Sequence, residues 1–352
     1  MRPLQFGVTC YQANSTQPGY VLFTPLRGEE CYLLGERGEI VHKWCLPDTL
    51  GNYGQLLANG NLLVSTKQEG VPKLAAAGGR LLELDRDSQI VWEHTDLMQH
   101  HDLNPTPDGN VLYLAWELTP TKDAGRILGG LQNSDHEDGG VYEDLLREVD
   151  RKGNIVWEWR MQDHFPYEKY PLRPATDRHE YAHANTCHVQ PDGNILVSFR
   201  LLDLVILINR ETKEIDWEMA DRTWGGQHDC QQLDNGNILL FANGSEQPTP
   251  EHSRILEINP DSREIIWQYK GQPPVTFYSP RVSGTCRLDN GNTFICEGQH
   301  GRLFEVTQAG EIVWEYISPF YNVDPRMGKT NQIFRARKYS INDSRLSKLL
   351  DS

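Results

Sequence analysis

The chain has 352 residues, a formal net charge of −15 and 38% hydrophobic residues. That length can bury a large core, while the acidic balance argues against nucleic acid and anionic membrane surfaces, because binding phosphate needs clustered Lys and Arg. No apolar run approaches a membrane span, and seven cysteines without a CxxC pair read as free thiols in a reducing compartment, so a soluble, cytoplasmic protein is expected.

The opening segment, "MRPLQFGVTCYQANSTQPGY", lacks a basic stretch followed by an apolar one, so no secretory signal is read there. "YVLFTPL", "CYLLGE" and "EIVHKW" then predict three strands between residues 20 and 44. From residue 57 a fixed alternation begins. "LANGNLLVS", "TPDGNVLYL", "QPDGNILVS", "LDNGNILLF" and "LDNGNTFIC" carry Gly60, Gly109, Gly193, Gly236 and Gly291. Asn-Gly and Asp-Gly between apolar runs signal tight hairpins, since glycine accepts positive φ. Third strands follow, such as "LLREVD", "LVILIN", "RILEIN" and "RLFEVT". Each unit closes on a tryptophan phrase, from "GEIVHKW" at 38 to "GEIVWEY" at 310, with Trp44, Trp92, Trp157, Trp217, Trp267 and Trp314.

Units of roughly 45 to 65 residues with four short strands predict propeller blades. The expected fold is all-β: a six-bladed β-propeller of four-stranded blades, one domain over residues 1–352 with strands from about 19 to 340. Six closing strands stand against five hairpins, so the first blade lacks its inner strand. "QIFRARKYS", residues 332–340, is expected to supply it, so that both termini share one blade and no free edge remains. Residues 341–352 are left as a tail. The long insertions, about 118–141 and 160–182, fall on one face of the ring and read as lids over a binding site.

Eight residues before each hairpin glycine stand Asn52, His101, Asn185, His228 and Ser283. All five fall near the start of an inner strand, at one mouth of the central channel. His183 precedes Asn185 by two and shares its side by period-two alternation. Arg200, seven residues after Gly193, returns up the second strand to the same mouth. A histidine on a strand is usually structural, but three at comparable inner positions point to a functional cluster. Beside neutral histidines, Arg200 suits a bound oxyanion, which its planar fork grips bidentately. It also reads as an inter-blade ion pair, and Asn185 as a donor to the anion or a loop fastener. His300 follows a second strand and is a candidate for the mouth. His100 is expected to point away from His101, and His188 to face a packing surface. Cys187 and Cys230 read as buried packing thiols, and the repeated tryptophans as outer-strand packing.

With "HHDLNPTPDGN", "HANTCHVQPDGNILVSFR", "QHDCQQLDNGNILLFANG" and "SGTCRLDNGNTFICEG" on the page, the sequence resembles the arylsulfate sulfotransferase family over nearly its whole length. The resemblance implies a six-bladed propeller that moves a sulfuryl group from a phenolic sulfate to a phenol without a nucleotide donor or cofactor. It implies His228 in "GGQHDC" as the sulfated nucleophile, His101 and His183 as sulfate-binding histidines, and Asn185 and Arg200 as their partners. The well-studied members carry a signal peptide, an N-terminal β-domain and a disulfide, none of which is expected from this reading of the sequence. The expected partners are a small aryl sulfate and a phenol. A rival reading makes His101, His183, His228 and His300 ligands of one Fe, Zn or Mn ion in an oxygenase, lyase or hydrolase. A third is a non-catalytic propeller serving as an interaction platform.

Overall fold

The computed structural model describes residues 5–135, 139–246 and 250–350. Six antiparallel sheets of at least four strands are arranged as a six-bladed propeller. Blade 1 takes Gly19–Pro25, Glu30–Leu34 and Ile40–Cys45 from the start of the chain. Its innermost strand is Ile333–Ser340, paired antiparallel with Gly19–Pro25. Closure by the chain's own late strand is therefore as expected. Two features were not anticipated: Gly7–Tyr11 adds a fifth, outermost strand to blade 6 against Ile312–Ile317, and Ser344–Leu350 forms a helix.

The five hairpin glycines all have positive φ, between 80° and 89°. The asparagines flanking them have a second task. Asn59 and Asn61 both donate to Glu83 on the third strand of blade 2, and Asn235 and Asn237 do the same for Glu257 in blade 5. Each glutamate then meets a cation from the next blade: Arg151 on Glu83, Arg210 on Glu148, Arg287 on Glu257 and Lys338 on Glu305. The repeated "NGN" phrase thus fixes an inter-blade ion pair as well as a turn.

The tryptophans form a ring of latches. Trp44, Trp92, Trp157, Trp217 and Trp267 each donate Nε1–H to a backbone carbonyl in the following blade, and Trp314 donates to Glu36 of blade 1 at 2.7 Å. They are more than packing: each pins a turn of its neighbour, and the last pin closes the circle.

Across the axis, Arg335 and Arg337 of the closing strand meet Asp102 of blade 3 and Asp229 of blade 5. Arg335 lies 3.0 Å from Asp102 and 3.1 Å from Asp229, and Arg337 reaches both Asp229 oxygens at 2.6 Å. All four residues sit at or near full burial of their side chains. Unpaired, such charges are strongly destabilising, so the network holds the ring shut. The two insertions also join. Leu131 N–H donates to Thr176 O and Leu172 N–H to Leu128 O, and Arg178 spans the carbonyls of Ile127 and Gly129.

Candidate functional site

The inner strands do not run regularly where the candidate residues stand. Strand pairing shifts register just after His100, across Asn185 and just after His228. His101, His183, Asp229 and Ser283 all take positive φ, between 45° and 95°. Such bulges re-aim side chains and interrupt simple alternation. Left-handed non-glycine residues cost of order 1–3 kcal/mol each and collect at functional sites.

His101 and His183 meet edge to face, with ring centroids 4.5 Å apart. Phe334 of the closing strand lies beneath, 5.9 Å from His101 and 6.2 Å from His228. His101 and His228 are each 2% exposed and His183 is 8% exposed. His183 Nδ1 stands 2.8 Å from Glu180 Oε2, and Glu180 Oε1 accepts Trp116 Nε1–H at 3.0 Å. Burial opposes ionisation of Glu180, but attraction to His183 and these bonds hold its pKa below the ordinary value.

His228 is oriented by Asn243. Its Nδ1 lies 2.8 Å from Asn243 Oδ1 and 3.1 Å from Gly226 O. Asn243 Nδ2 donates to the carbonyls of Ser279 and Val282, which fixes its oxygen toward the imidazole. Both partners of His228 Nδ1 are acceptors, so that nitrogen carries the proton and Nε2 keeps its lone pair. Burial, then the nearby Arg200 charge, lower the His228 pKa to about 3, the Asn243 bond resisting. Burial and the surrounding imidazoles hold His101 well below its usual value.

Arg200 returns to the same mouth as expected, and its backbone N–H donates to His183 O at 3.1 Å. Its guanidinium makes no hydrogen bond or ion pair among the described residues. It lies over Gly226, where an added Cβ would sit 3.4 Å from Nε. Burial lowers its pKa; the Glu180 and Asp203 carboxylates oppose this, while the cations Arg173 and Arg281 add to it. Gly226 N–H is tied to Asp203, which also receives Arg173 from the second insertion and Arg222.

The other candidates are already engaged. Asn185 donates Nδ2–H to Gln227 O at 2.8 Å, bridging blades 4 and 5. Asn52 donates to Ala76 O at 2.6 Å. Ser283 donates to Ser279 Oγ and accepts Gly298 N–H. His300 lines a cavity of about 1140 Å³ with Tyr269, Thr276, Arg302 and Tyr321, a space to which His101, His183, His228 and Arg200 contribute no wall. His100 is not turned away from His101: their Nδ1 atoms lie 2.7 Å apart. The register shift following His100 explains the departure from alternation. Cys187 and Cys230 are fully buried, and burial pushes their thiol pKa values well up. Among the described residues, no three His, Cys, Asp or Glu side chains are grouped to hold a metal ion.

Glu180, Asn243, Asp144 and Phe334 escaped sequence reasoning. Each lies far in sequence from the histidine it serves or outside the repeat's inner strand. The one usable signal was the "HD" dipeptide at His101 and His228, whose aspartates both bind Arg335.

The model of the Arylsulfotransferase (ASST) family matches residues 53–319. No curated protein sequence matches the chain. Among solved structures, a Bacteroides caccae protein of unknown function is 15% identical, with 91% of this chain and 98% of that one covered at a TM-score of 0.59. A streptogramin B lyase is 11% identical, with coverages of 95% and 93% and a TM-score of 0.51. Those two likenesses concern the fold alone. The family match runs from the second blade through the sixth and takes in every histidine of the cluster: the chain belongs to the arylsulfotransferase (ASST) family.

Proposed function

We propose that this protein transfers a sulfuryl group from an aryl sulfate to a phenol through a sulfohistidine at His228. The observation that carries the reading is the lone pair left on His228 Nε2 by two acceptors at Nδ1, beside an arginine whose guanidinium makes no hydrogen bond or ion pair among the described residues. A neutral imidazole is a competent nucleophile, and with a pKa of about 3 His228 is neutral at any ordinary pH. Nε2 attacks sulfur in line, the sulfur–oxygen bond breaks and a phenolate leaves. Arg200 grips the sulfuryl oxygens and supplies the missing counter-charge in both directions. A phenol then attacks the sulfur of sulfo-His228, its proton passes to a neighbouring imidazole, and Nε2 recovers its electron pair.

The reaction has two half-reactions, so its kinetics are ping-pong. Incubation with 4-nitrophenyl sulfate and no phenol should raise the intact mass by one sulfuryl group, and His228→Ala should show no increase. Turnover of the ester without any mass change, or sulfation that persists in His228→Ala, would remove His228 from this role.

A further inference from the structure

Two buried polar groups behind the cluster have no part in the steps above. Asp144, on the third strand of blade 3, accepts Ala184 N–H on Oδ2 at 2.9 Å, and its Oδ1 lies 3.3 Å from His100 Nε2. The His100 ring is fully buried and stacks on Trp116, with centroids 4.2 Å apart and planes at 16°. Trp116 also donates to Glu180, so one indole braces the carboxylate of His183 and the ring behind His101. On its far side, His100 Nδ1 meets His101 Nδ1 at 2.7 Å.

Two imidazole nitrogens at that distance share one hydrogen. The carboxylate decides which ring owns it. Asp144 Oδ1 stands 3.3 Å from His100 Nε2 outside hydrogen-bond geometry, and its charge draws a hydrogen to that nitrogen, so a neutral His100 has its lone pair on Nδ1. His101 must then donate from Nδ1 and keep its lone pair on Nε2. His183 touches a carboxylate directly, whereas His101 reaches one only through the His100 ring. His101 therefore stands neutral before the phenol arrives, as its strong burial also dictates.

We propose that Asp144 and His100 are positioning residues that hold His101 in its Nδ1–H tautomer, making His101 Nε2 the acceptor of the phenol proton. This rests on the sulfuryl-transfer reading for its chemical step, and on geometry alone for its tautomer. In that step the phenol oxygen bonds to sulfur, the His228 nitrogen–sulfur bond breaks with its electron pair returning to Nε2, and the phenol proton moves to His101 Nε2. The His101 cation is stabilised through Nδ1–H to His100 and from His100 to Asp144.

Asp144→Asn tests this without changing shape. The amide keeps its oxygen on Ala184 N–H and presents N–H to His100 Nε2, reversing first the His100 tautomer and then that of His101. Nitrogen NMR of the full chain labelled in histidine should show His101 as Nδ1–H in the wild type and as Nε2–H in Asp144→Asn. His101 found as Nε2–H in the wild type, or unmoved in the variant, overturns the proposal, and this readout needs no substrate. In single turnovers, transfer from sulfo-His228 to phenol should fall on the order of 10²-fold or more. Sulfation by 4-nitrophenyl sulfate, whose phenolate leaves without a proton, should stay within a few-fold. Equal losses in both steps would mark Asp144 as merely structural and overturn the assignment. A wild-type chain never sulfated by the ester would end the sulfuryl reading, while the NMR result would still decide the positioning. His100→Asn keeps an acceptor near the Nδ1 position and should retain much of the transfer rate that His100→Phe loses; equal rates in the two variants count against the relay.

Discussion

Arg200 shows at the scale of one residue how function and stability oppose each other. Its guanidinium is part-buried and makes no ion pair among the described residues; burial, Arg173 and Arg281 disfavour its charge, against attraction from Glu180 and Asp203. Removing it should stabilise the fold, as is common where a site is built on strain. Arg200→Met should therefore raise the melting temperature while lowering aryl sulfate turnover about 10²-fold or more; a variant with lowered melting temperature would show that an unseen partner was lost. His101, His183, His228 and Arg200 were legible because each sits at a fixed count from a hairpin glycine, and the hairpin converts count into place. Asn185 was legible in position but not in role, because the bulge turns its amide to Gln227 O. Glu180 stands only three residues before His183 but outside the repeat phrase, and Asn243 just past the second strand of the His228 blade, so the repeat count singles out neither.

At the scale of the element, the repeat carries more than strands. Its tryptophan is a donor to the next blade and its asparagines hold the glutamate that meets the next blade's cation, so each blade is completed by its successor. Trp314→Phe keeps the ring's bulk but deletes the bond to Glu36 O. The loss should be about 1 kcal/mol in denaturant unfolding, the net worth of a hydrogen bond, and comparable to Trp92→Phe at an ordinary junction. No loss at either site would mean the latches merely follow packing. The strand Gly7–Tyr11 went unread because it has no hairpin or repeat partner beside it in sequence; only the edge left by Ile312–Ile317 defines it. The closing strand, by contrast, was readable from an arithmetic deficit: six outer strands need six inner ones.

The whole molecule buries several titratable groups in one charge state. Burial lowers the pKa of His42, His94, His101, His188 and His228. Unfolded, each binds a proton near pH 6.5, so below that pH the unfolded chain holds more protons than the folded one and acid favours unfolding. Each such histidine adds up to about 1.4 kcal/mol per pH unit to the slope, and His228 continues to do so down to about pH 3. Asp229 adds a carboxylate contribution present above the usual aspartate range: burial opposes its ionisation, but Arg335 and Arg337 hold its pKa below that range. This contribution disappears as pH falls toward its lower folded value. The denaturant midpoint should thus drop steeply from pH 7 to 4.5; a flat or rising midpoint there would contradict neutral buried histidines.

The arginines that bind Asp102 and Asp229 lie in Ile333–Ser340, while those aspartates directly follow His101 and His228. During biosynthesis the late strand leaves the ribosome after every blade it joins. A nascent chain cut short before it would hold two unpaired acids at the bottom of an unfinished mouth, with no Phe334 floor under the imidazoles. The strand that seals the ring therefore also completes the floor of the histidine cluster, so ring closure and assembly of the cluster are one event.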